Sequence, residues 1–89
     1  MEKLKILVLE GGFNEEHEIS ISTAKQVKKS LKRSGIFFES LLVDPTNFEK
    51  NIRNYPRDYI CFNALHGSFG EDGKIQKILD KLSFKYTHA

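Results

Sequence analysis

The sequence predicts an α/β fold: one four-stranded parallel sheet covered by helices on both faces, in three layers. Three observations carry that reading. Strand-like apolar runs and helix-like periodicities alternate along the chain, as in parallel sheets with crossover helices. The opening run from Leu4 to Glu10 is almost unbroken in its apolar character, as a strand buried on both faces requires. At 89 residues the chain has the length of one domain, and it holds no internal repeat, low-complexity tract or linker.

The elements follow in order. Gly11-Gly12 breaks the first strand. From Ser20 to Ser34 the period becomes helical, with Ala24, Val27 and Leu31 on one face and Lys25, Lys28, Lys29 and Lys32 on the other. Ser20 is a candidate N-cap of this helix and Gly35 a candidate C-cap. The lysine stripe reads as a solvated helix face. Ile36 to Val43 is a second apolar strand, closed by the turn-forming pair Asp44-Pro45. Phe48 and Ile52 share a face of a short helix over Phe48–Asn54. Tyr59 to Leu65, rich in aromatic and β-branched residues, is a third strand. A glycine-rich connection from His66 to Gly73 leads to a helix over Lys74–Leu82, with Ile75, Ile78, Leu79 and Leu82 on one stripe and Asp72 as candidate cap. Phe84 to Thr87 starts a fourth strand.

Composition narrows the function. A chain this short buries only ~60–70% of the surface that its unfolded form exposes, so a deep cleft between two domains is beyond it. The 14 basic and 12 acidic side chains leave a net charge of +2, too small and too mixed to indicate a nucleic-acid or membrane partner. With 39% hydrophobic and 29% charged residues, the chain has a globular composition. Cys61 is the sole cysteine, so no internal disulfide is possible, and its neighbours Tyr59, Ile60 and Phe62 predict a buried, inert thiol. The apolar stretch Ile6–Leu9 is too short for a signal sequence, and nothing approaches a membrane span; a cytoplasmic protein is the default expectation.

In sheets of this kind ligands bind beyond the carboxyl ends of the strands, which selects the loops Gly11–Ile19 and His66–Gly73. The first reads Gly-Gly-Phe-Asn-Glu-Glu-His-Glu-Ile. It lacks the spacing of a dinucleotide fingerprint. Its acids, Glu15, Glu16 and Glu18, would repel a pyrophosphate at a helix N-terminus and suit a cation or an ammonium group instead. The plain alternative is that they only complement the helix dipole. Glycines at 11 and 12 allow close backbone approach. The second loop sets His66 and the acids Glu71 and Asp72 among glycines 67, 70 and 73, more than a mere connection needs. No spacing there matches a zinc or calcium site, so no metal is expected. His17 can simply pair with the surrounding glutamates.

Gly11-Gly12 with Glu16-His17-Glu18-Ile19-Ser20, followed by Ala64-Leu65-His66-Gly67 and Gly70-Glu71-Asp72-Gly73-Lys74-Ile75-Gln76, resembles the N-terminal domain of the D-alanine–D-alanine ligases. Tyr86-Thr87 is similar to the family's next landmark. The resemblance implies a Rossmann-like, pre-ATP-grasp domain of an enzyme that makes a dipeptide for peptidoglycan. There, ATP and Mg2+ activate one D-alanine as an acyl phosphate, and the amine of a second D-alanine displaces phosphate. By position, Glu16 would bind the ammonium of the first D-alanine, and His66 would lie beside the same substrate. Gly11 and Gly12 would give close backbone approach, Gly67 would be among the substrate-binding residues, and Glu71 would orient the loop or meet the reacting centre. A homodimer is implied as well.

The sequence departs from that family in having no counterpart of the ATP-grasp portion, and it has no Walker-type loop or magnesium-spaced acids in its place. The expectation is a fragment or separately encoded N-terminal domain that neither hydrolyses ATP nor joins D-alanine by itself, with the ATP-grasp portion as its partner if that is separately encoded. The competing reading is a stand-alone Rossmann-like binding or interaction module. A response-regulator domain is disfavoured, because position 66 is His where an accepting aspartate belongs.

Overall fold

The computed structural model describes residues 4–11, 14–44, 46–65 and 73–88. Period-two alternation in the first strand, β1 (Lys5–Gly11), divides the interior into two cores. Ile6 and Val8 point to one face, where they meet Ala24, Ala64, Val27 and Leu31. Leu7 and Leu9 point to the other, against Phe48, Ile52, Ile75, Leu79 and Phe84. A strand buried on both faces needs the continuous apolar run that Leu4–Glu10 supplies.

The remaining elements are α1 (Asn14–Arg33), β2 (Phe37–Val43), α2 (Phe48–Ile52), β3 (Ile60–Asn63), α3 (Lys74–Lys81) and β4 (Lys85–His88). All strand pairs are parallel, with Ile6 opposite both Phe38 and Ile60, and Cys61 opposite Tyr86. The four strands run in the order β2-β1-β3-β4. Helix α1 covers one face, and α2 and α3 contribute to the core on the other, which makes the expected three layers. Every predicted element is present, with ends shifted by a residue or two, apart from the start of the first helix.

That start is a correction. Helix α1 begins at Asn14, not after Ser20. Ser20 is wholly buried inside the helix, and its hydroxyl bonds other elements instead of capping its own. Glutamates in a first turn favour the helix through its dipole, so the acidic stretch assigned to a loop is helical. The first loop therefore shrinks: Gly11 ends β1 and residues 14–19 belong to α1.

Two helix ends share one geometry. After α1, Gly35 takes φ +70°, its N–H bonds the carbonyl of Lys32, and Ile36 N–H bonds that of Leu31. The predicted glycine C-cap is thus in place. After α3, Ser83 takes φ +64° and the same pair of bonds runs from Ser83 to Asp80 and from Phe84 to Leu79. At the start of α3 the N-cap is Gly73, at φ +85°, in place of the expected Asp72. Asp72 itself lies outside the described residues.

Strand β2 is largely exposed, with Val43 alone fully in the core. It forms an edge of the sheet, where Phe37 and Leu42 stay 51% and 59% exposed. Cys61 is buried as expected, and desolvation pushes its thiol up to about 12, which removes it from thiolate chemistry at neutral pH.

Candidate functional site

Strand order locates the site before any side chain does. From β1 the chain crosses to β2 on one side, and β3 then lies on the other, so the order reverses between β1 and β3. At such a switch point the loops leaving the two central strands diverge and open a crevice at their carboxyl ends. The two loops chosen from the sequence leave β1 and β3, which puts both exits at this one place.

Gly11 ends β1 at this switch point. Its φ of +107° is one that side-chain-bearing residues rarely adopt. An added Cβ would also lie 3.0 Å from Leu42 Cδ1 and 3.1 Å from the backbone oxygen of Val43 on the edge strand. Glycine is required by backbone and neighbours alike.

On the neighbouring strand, the β1–β3 ladder continues one step past β3, with Ala64 N–H donating to Leu9 O at 3.0 Å. Asn63 is buried, and its side-chain oxygen accepts the N–H of Leu65 at 3.0 Å, an Asx turn that directs the chain out of β3 just before His66. Ser20 joins the two exits. Its Oγ accepts the N–H of Gly11 at 3.0 Å and donates to the carbonyl of Ala64 at 2.8 Å.

One further carboxylate lies at the end of β1. Glu10 is 6% exposed, and its Oε1 takes an ion pair from Lys28 Nζ at 2.9 Å. Its Oε2 has no hydrogen-bond partner among the described residues. In the sequence Lys28 reads only as part of a solvated stripe. Its pairing with Glu10 has no signature in helical spacing, because the partner is on a strand.

Of the predicted site residues, Gly11 stands at the switch point and Glu16 stands in the first turn of α1, beside Glu15 and with Glu18 soon after. Gly12, His66, Gly67 and Glu71 lie outside the described residues. Ser20, Asn63 and Glu10 were missed as site-building residues. A polar residue at the end of an apolar run, or on the inner face of a helix, was the available signal for each. Among the described residues, no group of His, Cys, Asp and Glu is placed to hold a metal ion. An open groove lined by Leu4, Lys5, Lys32, Phe37, Phe38 and Tyr59 lies at the amino ends of the strands. Topology argues against that groove as the ligand site, since it lies at the opposite edge of the sheet from the switch point.

Comparison with known proteins agrees with this architecture. The chain is 49% identical over 86 residues to the D-alanine–D-alanine ligase of Pelagibacter ubique (strain HTCC1062), a match covering 96% of this chain and 27% of that protein. It is 46% identical over 83 residues to the D-alanine–D-alanine ligase of Methylacidiphilum infernorum (isolate V4), covering 92% of this chain and 26% of the relative. A solved structure, the Bacillus anthracis D-alanine–D-alanine ligase complexed with ATP, superposes with a TM-score of 0.80 at 25% identity, over 98% of this chain and 28% of that one. No protein-family model matches the chain. The chain thus spans about a quarter of the length of the relatives that it matches. Over nearly all of its length the chain is similar in sequence to part of the D-alanine–D-alanine ligases, and it shares the fold of a solved one, as an N-terminal domain of such a ligase would.

Proposed function

We propose that the chain is the substrate-binding N-terminal domain of an ATP-dependent ligase that joins two D-alanines for peptidoglycan, working in the cytoplasm. The observation that carries this reading is homology running through both predicted loops to relatives named for that reaction. The topology supports it, because those loops leave adjacent strands at the switch point.

The role of this chain is to bind and orient the first D-alanine. Glu16, in a first helical turn rich in carboxylates, holds the substrate ammonium. His66 bonds and positions the same molecule. Gly11, Gly12 and Gly67 let it approach the backbone, and Glu71 orients the second loop. The activating chemistry is an acyl phosphate formed from ATP with Mg2+. Among the described residues no acid cluster is placed for a metal, and the sequence puts Glu15, Glu16 and Glu18 in the first turns of α1, where their charge disfavours a polyphosphate. The reading therefore assigns ATP, Mg2+ and phosphoryl transfer to the remaining length of such a ligase, and a homodimer to the assembled enzyme.

By itself the chain should not turn over, because stabilisation of the transferring phosphoryl group is the main catalytic contribution and the described residues hold no cluster for a metal that would supply it. Joined to the remaining length of the Pelagibacter relative, it should support D-alanine-dependent phosphate release. Glu16→Gln should lower that release by about ten- to a hundredfold, the value of a charge-assisted hydrogen bond. Phosphate release from the chain alone, or full activity in the joined Glu16→Gln enzyme, contradicts the proposal.

A further inference from the structure

Ser20 occupies a position that the fold does not need for its own helix. A serine in a helix interior ordinarily faces water or bonds the carbonyl four residues back. This one is fully buried, and its hydroxyl leaves α1 altogether. A serine hydroxyl has one proton to give and lone pairs to accept with. Here the proton goes to the carbonyl of Ala64 at 2.8 Å, and a lone pair takes the N–H of Gly11 at 3.0 Å. Helix α1, strand β1 and the residue that follows β3 meet at one oxygen, on the line where the strand order reverses.

The neighbours of those contacts give the arrangement its consequence. Gly11 is the last residue of β1, so its N–H sets where the first loop departs. Ala64 precedes His66 by two residues, so its carbonyl sets where the second loop departs. Glu16 stands four positions, about one turn, before Ser20 in α1. Rotation or translation of the first turn of α1 against the two strand ends would break one of the two bonds. The strand ladder holds β1 to β3, but it does not hold α1 to either of them.

We propose that Ser20 is a positioning residue for the D-alanine site, the latch that keeps the first turn of α1 in register with the exits of β1 and β3. It does not touch the substrate; it acts through Gly11, Ala64 and the helix that carries Glu16. The identity of the ligand rests on the function proposed above, whereas the latch itself is a property of the fold. A serine that merely filled space would act on stability alone, and the two roles separate experimentally.

The experiment compares wild type, Ser20→Ala and Ile75→Val in the 89-residue chain by nuclear magnetic resonance. Ile75 is buried in the opposite core, so Ile75→Val loosens the fold without touching the switch point. Two quantities are read: the exchange rate of the Gly11 amide relative to that of Val8, and the dissociation constant for D-alanine. Ser20→Ala should speed Gly11 exchange relative to Val8 by about tenfold or more and weaken D-alanine binding about tenfold. Ile75→Val should leave both within about twofold. Should Ser20→Ala fail to fold, Ser20→Cys, close in volume but a weak donor and acceptor, should shift both quantities in the same direction. Unchanged relative exchange in the Ser20 variants, or an equal change in Ile75→Val, overturns the latch. If wild type binds no D-alanine, the proposed function fails, and the exchange comparison still decides the latch.

Discussion

Ser83 carries a conformation that its side chain disfavours. Its φ of +64° closes α3 in the same way that Gly35, at +70°, closes α1. A left-handed residue with a Cβ costs ~1–2 kcal/mol, and glycine removes most of that cost while adding some freedom to the unfolded chain. Ser83→Gly should therefore stabilise the domain by about 0.5–1 kcal/mol, read as a higher midpoint in urea. Gly11 is the reverse case. Gly11→Ala meets a φ of +107° and a backbone oxygen 3.1 Å from the new Cβ, and should destabilise by about 1–3 kcal/mol. Residue type alone made Gly35 and Gly11 legible, because glycine advertises unusual backbone. Ser83 advertised nothing, and Ser20 advertised the wrong role: a serine before an apolar periodicity reads as a cap until the partners across the crevice are known.

At the scale of the element, the acidic start of α1 illustrates the limit of local signals. Glu15, Glu16 and Glu18 looked like loop because the apolar period begins only later, yet helix propensity and the dipole extend α1 back to Asn14. The link between β1 and α1 was hidden for a different reason, since Glu10 and Lys28 are 18 residues apart in the chain. Glu10 is nearly buried, with one oxygen unpartnered among the described residues, so the pair is a weak stabiliser. Glu10→Leu should be neutral or stabilising in thermal unfolding. Lys28→Ala strands the buried carboxylate and should cost about 1–2 kcal/mol, tempered by the 30% exposure of the lysine side chain.

The turn before α2 and the helix itself give the domain an acid limit. The carboxylate of Asp44 is held below its ordinary 3.8 chiefly by hydrogen bonds from the Thr46 hydroxyl and N–H. Glu49 is held below 4.5, first by its hydrogen bond from Lys81 and then by Arg53. Lowered values in the folded state mean that the unfolded chain binds more protons in acid. The stabilisation these two groups provide is therefore complete above the ordinary carboxylate values and disappears as pH falls through the lowered ones. Asp44→Asn should flatten the acid limb of a stability–pH profile while leaving the limb above pH ~6 unchanged in shape.

For the whole molecule, alternating periodicity was enough to foresee four parallel strands and three layers, because each strand and helix must bury its own apolar face. Strand order was not foreseeable, since Leu7 or Cys61 would be equally buried in several arrangements. The order β2-β1-β3-β4 is what brings the ends of β1 and β3, distant in sequence, side by side at one end of the sheet. At that end, Gly11 and the α1 segment carrying Glu16 were legible as glycine and as clustered charge, whereas the bonds of Ser20 and Asn63 were not, because they join elements that only the fold brings together.

The central claim is that this edge binds the ammonium of D-alanine through Glu16, and a titration of the 89-residue chain with D-alanine, followed by amide chemical shifts, tests it most directly. Saturable shifts should centre on Gly11, Ala64 and the first turn of α1, with a dissociation constant of about 1–10 mM. N-acetyl-D-alanine should give no such response, and Glu16→Gln should lose about tenfold or more in affinity. Shifts elsewhere, an equal response to the N-acetylated compound, or undiminished binding by Glu16→Gln would contradict it.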